Sequence, residues 1–294
     1  MFNFFARIFG YLLNYIYSFV NNYGLAIILF SIILKIIMLP ISIRQQKTLK
    51  KSAKMQIKVK EIQEKYSNDQ VRQSQEMMDL YKRENMSPFS GCLGSIVQFI
   101  IIISMFYLVS SPLTYMKNID AEIINNYVNQ IQEETGTNIR YREIAVIKAM
   151  GEKDKRVYLN MNFLGLDLSD VPSQAMGDWK VFIIPVLYVI TSFVSMKITN
   201  TLNKKAKEYK KEEVIEEKEI NKENAEKTLV PKENKEDDAM DEMQKQMNIM
   251  MPLMTVSIAL IAPLGLALYW LVNNLMMILE RVIINKFYKE EEEE

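Results

Sequence analysis

From Gln246 to Leu279 the chain runs for 34 residues without one charged side chain. As a single helix this run would measure about 51 Å, against a hydrocarbon core about 30 Å thick. That is too long to cross a bilayer once without extreme tilt. Pro263, Leu264 and Gly265 sit near its middle and supply a natural break. The run therefore divides into two spans, about 247–262 and 264–284, joined as a tight hairpin.

Three more apolar blocks have spanning length: Tyr23–Ile43, Phe89–Val109 and Trp179–Ile198. The hydrophobic fraction of 49% and the net charge of zero look ordinary only because the two kinds of residue are segregated. Charges crowd into 44–88, 117–180, 197–245 and 280–294. The expected fold is an all-α polytopic membrane protein with five transmembrane helices.

Residues 1–21 are set apart from these spans. No charged region precedes their apolar stretch and no small-residue cleavage site follows it, so a signal peptide is not expected. Asn3, Arg7, Gly10, Asn14 and Ser18 draw a narrow polar stripe at helical spacing. An amphipathic helix lying in the membrane interface fits this pattern best, with an additional span as the alternative.

Charge sets the expected orientation. Segment 44–88 holds eleven Lys and Arg residues, with Arg44, Lys47, Lys50, Lys51 and Lys54 beside the first span. The longer 112–178 segment holds seven. The positive-inside rule places 44–88 in the cytoplasm, the N-terminus and 112–178 outside, and the C-terminus inside. The chain is then read as an interfacial helix (1–21), a first span (22–43) and a cytoplasmic helical hairpin (44–88). A second span (89–111), an extracytoplasmic loop (112–178) and a third span (179–198) follow. A charged cytoplasmic loop (199–245), a two-span hairpin (246–285) and an acidic tail (286–294) complete it.

In the 44–88 hairpin, Leu49, Ala53, Ile57, Ile62 and Tyr66 recur at helical spacing. So do Val71, Met77, Met78 and Tyr81, after a turn at Ser67, Asn68 and Asp69. The Lys/Glu-rich stretch 203–245 has few apolar anchors. The stretch YLNMNFLGLDL at 158–168 is apolar enough to pack near the membrane surface.

The sequence gives catalysis little to work with. It contains no histidine, and Cys92 stands alone, so His-based metal sites and intrachain disulfides are excluded. No Gly-rich phosphate loop is present. No cofactor and no enzymatic activity are expected.

Lys35 is the exception within the first span. A lysine at a span's centre costs about 2.5–3.5 kcal/mol on insertion scales. Two readings stand: the side chain snorkels toward the inner headgroups, or it faces a water-filled cavity. Arg44 lies about 13 Å further along the axis, beyond the reach of a lysine stem alone. Gly24, Ser31, Met38 and Ser42 share the lysine's face. Other spans carry polar stripes too: Gly91, Ser95 and Gln98; Thr191, Ser192, Ser195 and Thr199; Ser257; and Tyr269, Asn273 and Asn274. Singly such residues are helix-packing glue, and together with a charge they suggest an amphiphilic chamber. Glu280 and Lys180 lie near span ends, so Lys35 is expected to be unpaired. Met243, Met247, Met250, Met251 and Met254 form a further stripe, read either as core or as a surface for varied apolar partners.

Three strings, NYGLAIILFSIILKIIMLP, QEMMDLYKRENMSPFSGCLGSIVQF and MPLMTVSIALIAPLGLALYWLVNNL, occur in the order and setting that resemble the YidC family of membrane-protein insertases, the YidC–Oxa–Alb group. The resemblance implies five helices around a hydrophilic groove, open to the cytoplasm and lipid and shut on the outer side. Nascent hydrophobic segments would pass along it into the bilayer. Lys35 matches the family's groove-facing basic position, more commonly arginine, and Gln98 matches its polar partner. Ser31 and Trp270 fall at client-contacting positions; Tyr269 and Asn273 complete the candidate set. Gly94 and Ile100 stand where prolines are usual, and the tail ends KEEEEE rather than in basic residues. The implied partners are nascent membrane proteins and lipid, with the Sec translocon, ribosome and signal recognition particle machinery as further candidates and no direct reading of nucleic acid. The implied location is the cell membrane. A small-solute transporter is the runner-up, disfavoured by unequal spans without inverted repeats. A membrane hydrolase ranks last.

Overall fold

A computed structural model describes residues 1–84, 93–136, 138–198, 201 and 257–293. These are mostly helical. Among the described residues three helices are long and apolar enough to cross a membrane, Tyr23–Gln45, Trp179–Ile198 and Leu264–Ile283, and a shorter apolar helix covers Phe99–Ser110. Of the expected fourth span only a helical stretch at 257–261 is described. The methionine stripe and the 203–245 loop lie outside the described residues.

The chain forms two compact units. The first comprises Met1–Met38, Gln98–Ser195 and Ile249–Glu294. It opens with α1 (Phe2–Val20), which ends on Asn21 in the left-handed conformation. Helix α1 buries Ala6, Gly10, Leu13, Ile16 and Tyr17, and leaves Phe4, Ile8, Tyr11, Tyr15 and Phe19 exposed on another face. Two members of its small and polar stripe meet one residue. Asn3 Oδ1 accepts from the Tyr115 hydroxyl at 3.1 Å, and Gly10 packs against the Tyr115 carbonyl.

Helix α2 runs unbroken from Tyr23 to Lys65, with Pro40 inside it. The first span was expected to stop just after that proline. Pro40 removes one backbone donor, but 44–65 is dominated by Lys, Gln and Glu, with Arg44, Leu49, Ala53 and Met55, all strong helix formers, and the helix continues. After it come α3 (Gln70–Arg83) in the second unit, and α4 (Leu93–Ser110) and α5 (Pro112–Tyr115).

Helices α6 (Ala121–Thr135) and α7 (Arg142–Met150) pair through Ile124, Val128 and Ile131 on one side and Ile144, Ile147 and Met150 on the other. Glu143, 7% exposed, ties α7 to α5: its two oxygens accept from the Thr114 backbone N–H at 2.9 Å and the Thr114 hydroxyl at 2.6 Å. Burial pushes the Glu143 carboxyl above its ordinary value near 4.5, against the opposing pull of those hydrogen bonds and of Arg142. A folded-state pKa raised above the unfolded one gives stability that is fully present at low pH and lost as pH rises through the raised value. The thermal midpoint of the native chain should therefore fall across that window relative to Glu143→Gln, whose profile should lack this component. Parallel pH profiles of the two proteins would contradict it.

A two-stranded antiparallel ribbon, Asn162–Phe163 with Leu166–Asp167, follows α7. It turns through Leu164 and Gly165, both at positive φ. This segment gathers the helix ends. The Asn160 carbonyl accepts from the Tyr23 N–H at 3.0 Å, its backbone N–H donates to the Tyr17 hydroxyl at 2.9 Å, and its side chain donates to the Asn21 carbonyl at 3.0 Å. The Phe163 ring lies over Gly24, where an added Cβ would come within 2.5 Å of it. After one turn of 3-10 helix (Trp179–Phe182), α8 covers 183–198, and α9 runs Leu264–Glu293. The Leu264 and Gly265 N–H groups, which no helical partner could satisfy, donate to the carbonyls of Asp170 (2.8 Å) and Leu168 (2.9 Å).

The second unit comprises Leu39–Val97 and Met196–Asn248. Within it the rest of α2 turns at 66–68 into α3, which Asp69 caps by accepting from the Arg72 N–H at 3.0 Å. Within 44–84 two helices are thus joined by a short turn. Of the expected seam residues, Ile62, Tyr66, Met77 and Tyr81 are half-buried and Val71 and Met78 are exposed, while Met55 and Leu80 are buried. On a helix Val71 and Met78 lie nearly opposite Leu80. Lys58 Nζ meets Glu84 Oε1 at 2.6 Å, and the Arg72 guanidinium and the Lys65 ammonium sit over the Tyr66 ring.

Candidate functional site

Lys35 is not unpaired. Its Nζ lies 2.7 Å from Glu280 Oε2, with the two side chains only 17% and 11% exposed. The expectation failed because it compared depths by counting from span ends. Helices α2 and α9 start side by side, since a Cβ on Gly265 would lie 3.4 Å from the Tyr23 ring. Both then run the same way. Lys35 is 12 residues past Tyr23 and Glu280 is 15 past Gly265, rises of about 18 and 22 Å. The lysine stem spans the difference of about one helical turn. An ion pair offsets part of the penalty of a charge among apolar helices, and removing one partner of a buried pair costs about 3–5 kcal/mol.

Helix α9 presents two faces. Gly265, Tyr269, Asn273 and Glu280 follow helical spacing on the side of α2. Tyr269 is almost fully buried and Asn273 is half-buried. About a quarter-turn away, Trp270 and Asn274 meet α8. The Trp270 ring packs 6.4 Å from that of Tyr188, and Asn274 Nδ2 donates to Thr191 Oγ1 at 3.2 Å and Ser192 Oγ at 3.1 Å. Asn274, 6% exposed, is thus a polar clasp between helices.

Two further members of the lysine's face are enclosed rather than lining open space. Ser31 is 4% exposed and its hydroxyl donates to the Ile27 carbonyl of its own helix at 2.7 Å, while Gly24 is covered by Phe163. Gln98 belongs to α4, but its side chain lies outside the described residues. Sequence reasoning missed Glu280 as a site residue. The available signal was its position seven residues after Asn273, on one helical face. Among the described residues, no three of His, Cys, Asp and Glu stand close enough to share a metal ion.

Apolar helices long enough to span, with a shielded lysine–glutamate pair between two parallel ones, define an integral membrane protein with an intramembrane charged site. The chain belongs to the 60Kd inner membrane protein family, whose profile matches residues 15–292. Among similar curated relatives are proteins called "Membrane protein insertase YidC" from Francisella tularensis subsp. novicida (strain U112) and subsp. holarctica (strain LVS). Each is 25% identical over 289 residues, covering 98% of this chain. The chain spans 37% of the length of those relatives.

Proposed function

We propose that the chain is a membrane protein insertase that moves nascent hydrophobic segments from the cytoplasm into the bilayer. The observation that carries the reading is the Lys35–Glu280 pair held inside apolar helices of a chain belonging to this family. In this reading five helices enclose a groove that is wet, open to the cytoplasm and closed at the level of Tyr23 and Gly265. The 158–173 segment, bonded to the starts of α2 and α9, supports that closure. Lys35, Gln98, Trp270 and Asn273 contact the client directly, and Ser31 and Tyr269, enclosed in this structure, join them when the helices part to admit it. The N-terminus lies outside and the C-terminus inside, with α1 at the interface. The 44–88 hairpin receives clients delivered by the ribosome, the Sec translocon or the signal recognition particle machinery.

Physically, such a protein need only shorten the dry path for polar flanks, while partitioning of the apolar segment into lipid drives the process. Glu280 neutralises Lys35 while the groove is empty. An acidic client flank takes its place during passage, so the lysine always faces a carboxylate.

Photo-crosslinkers at positions 35 and 270 should capture ribosome-bound nascent membrane proteins, and absence of such adducts would sink the reading. The groove's exposure is checked separately. In a Cys92→Ser background, cysteine at 35 or 98 should react with a membrane-impermeant maleimide from the cytoplasmic side only, while cysteine at Ile33 should react poorly because thiolate hardly forms in hydrocarbon. Labelling from the outer side would favour a transporter-like path.

A further inference from the structure

At the end of α4 lies a cavity of about 410 Å³, away from the Lys35 site. Ser110, Ser111, Arg140, Arg142 and Glu143 contribute its polar lining, and Phe106 its apolar edge. The Ser110 hydroxyl is buried there with no hydrogen-bond partner among the described residues. That oxygen is closed off from the cavity, so the charge the cavity offers a ligand is that of Arg140 and Arg142.

We propose that this cavity binds the phosphate of an anionic glycerophospholipid, with an acyl chain lying along Phe106, Ile102 and Phe99. Those three side chains are exposed, and with Ser110 they follow helical spacing in one stripe along α4. The stripe leads from an apolar surface straight to the polar cavity. Arg140, whose guanidinium sits over the Tyr141 ring, and Arg142 line the cavity beside Glu143, and both oxygens of that carboxylate are engaged by Thr114. Arg142 is held in place through Asn125, whose Oδ1 accepts from its Nη2 at 2.7 Å. Guanidinium forks match phosphate oxygens. Basic side chains at the end of an apolar helix sit where headgroups lie. A choline headgroup would bring its ammonium toward the arginines, so the site should discriminate against zwitterionic lipid.

Native mass spectrometry of the full chain, released from detergent with equal amounts of phosphatidylglycerol and phosphatidylcholine, tests this without any variant. The expected result is retention of phosphatidylglycerol over phosphatidylcholine by about tenfold, or ~1.4 kcal/mol. Equal retention overturns the proposal. The double substitution Arg140→Gln with Arg142→Gln should abolish the preference, and persistence of the preference in a folded variant overturns it as well. Phe106→Ala should weaken retention of phosphatidylglycerol. Displacement of phosphatidylglycerol by an equal concentration of soluble glycerol phosphate would instead identify a free phosphate-ester site and defeat the lipid assignment.

Discussion

Lys35→Glu is expected to destabilise the helical bundle more than any other single change at the candidate site. It places a second carboxylate against Glu280, within a pair that is 17% and 11% exposed. Two carboxylates at that separation cannot both ionise cheaply, so one must take up a proton or the helices must part. Losing the buried pair costs about 3–5 kcal/mol, read as a lowered thermal midpoint in micelles or nanodiscs. The reversed pair, Lys35→Glu with Glu280→Lys, restores opposite charges across the same gap. It should recover most of the lost stability.

Insertion separates the structural from the functional part. If Lys35 acts on clients from its own position on α2, the reversed pair will be stable yet poor at inserting clients with acidic flanks. Lys35→Arg should keep both properties, since the charge remains and the guanidinium reaches Glu280 with a bidentate option. Full insertion activity in the reversed pair would reduce the lysine to a packing element. Glu280→Gln completes the set: it leaves the lysine with a neutral partner, and should cost stability while leaving acidic flanks without a competitor.

The sequence made local features legible and long-range ones obscure. The start of the third apolar helix near Trp179 follows from where hydrocarbon replaces charge, and that of the first, at Tyr23, from the Asn21-Asn22 break between two apolar runs. The turn at 66–68 follows from its Ser-Asn-Asp cluster and the Asp69 cap. The ribbon at 162–167 was not legible, because its turn places Leu164 at φ 52 where Asn or Gly would announce it. Lys35 stood out by chemistry, but its partner is 245 positions away and becomes visible only once α2 and α9 are known to run parallel. The polar stripes were read correctly as helical faces and incompletely as surfaces. Asn274 clasps α8, Ser31 bonds back to its own helix, and Gly24 receives a phenyl ring. Spacing shows which residues share a face, and only packing shows what that face meets.

Gly10→Val should loosen α1 from the rest of its unit. An alanine-sized Cβ at position 10 would already lie 1.9 Å from the Tyr115 carbonyl oxygen and 2.6 Å from its carbon. Both are backbone atoms, so no side-chain rotation relieves the clash. The carbonyl is held in turn by α5, which Thr114 fastens to buried Glu143. Overpacking of this kind costs typically about 1–3 kcal/mol, and the top of that range is expected because the fixed side is a short helix with its own anchors. Valine's gain in helix propensity over glycine, a few tenths of a kcal/mol, offsets little of it. Helix α1 should then lose its contacts at Ala6, Leu13 and Tyr17 before α9 is disturbed. Hydrogen exchange should rise across residues 2–20 while 264–283 stays protected, and the thermal midpoint should fall. Gly177→Ala, at a glycine with no atom within 4 Å of an added Cβ, serves as the neutral comparison. If Gly10→Val exchanges and melts like Gly177→Ala, α1 does not rest on the Tyr115 carbonyl.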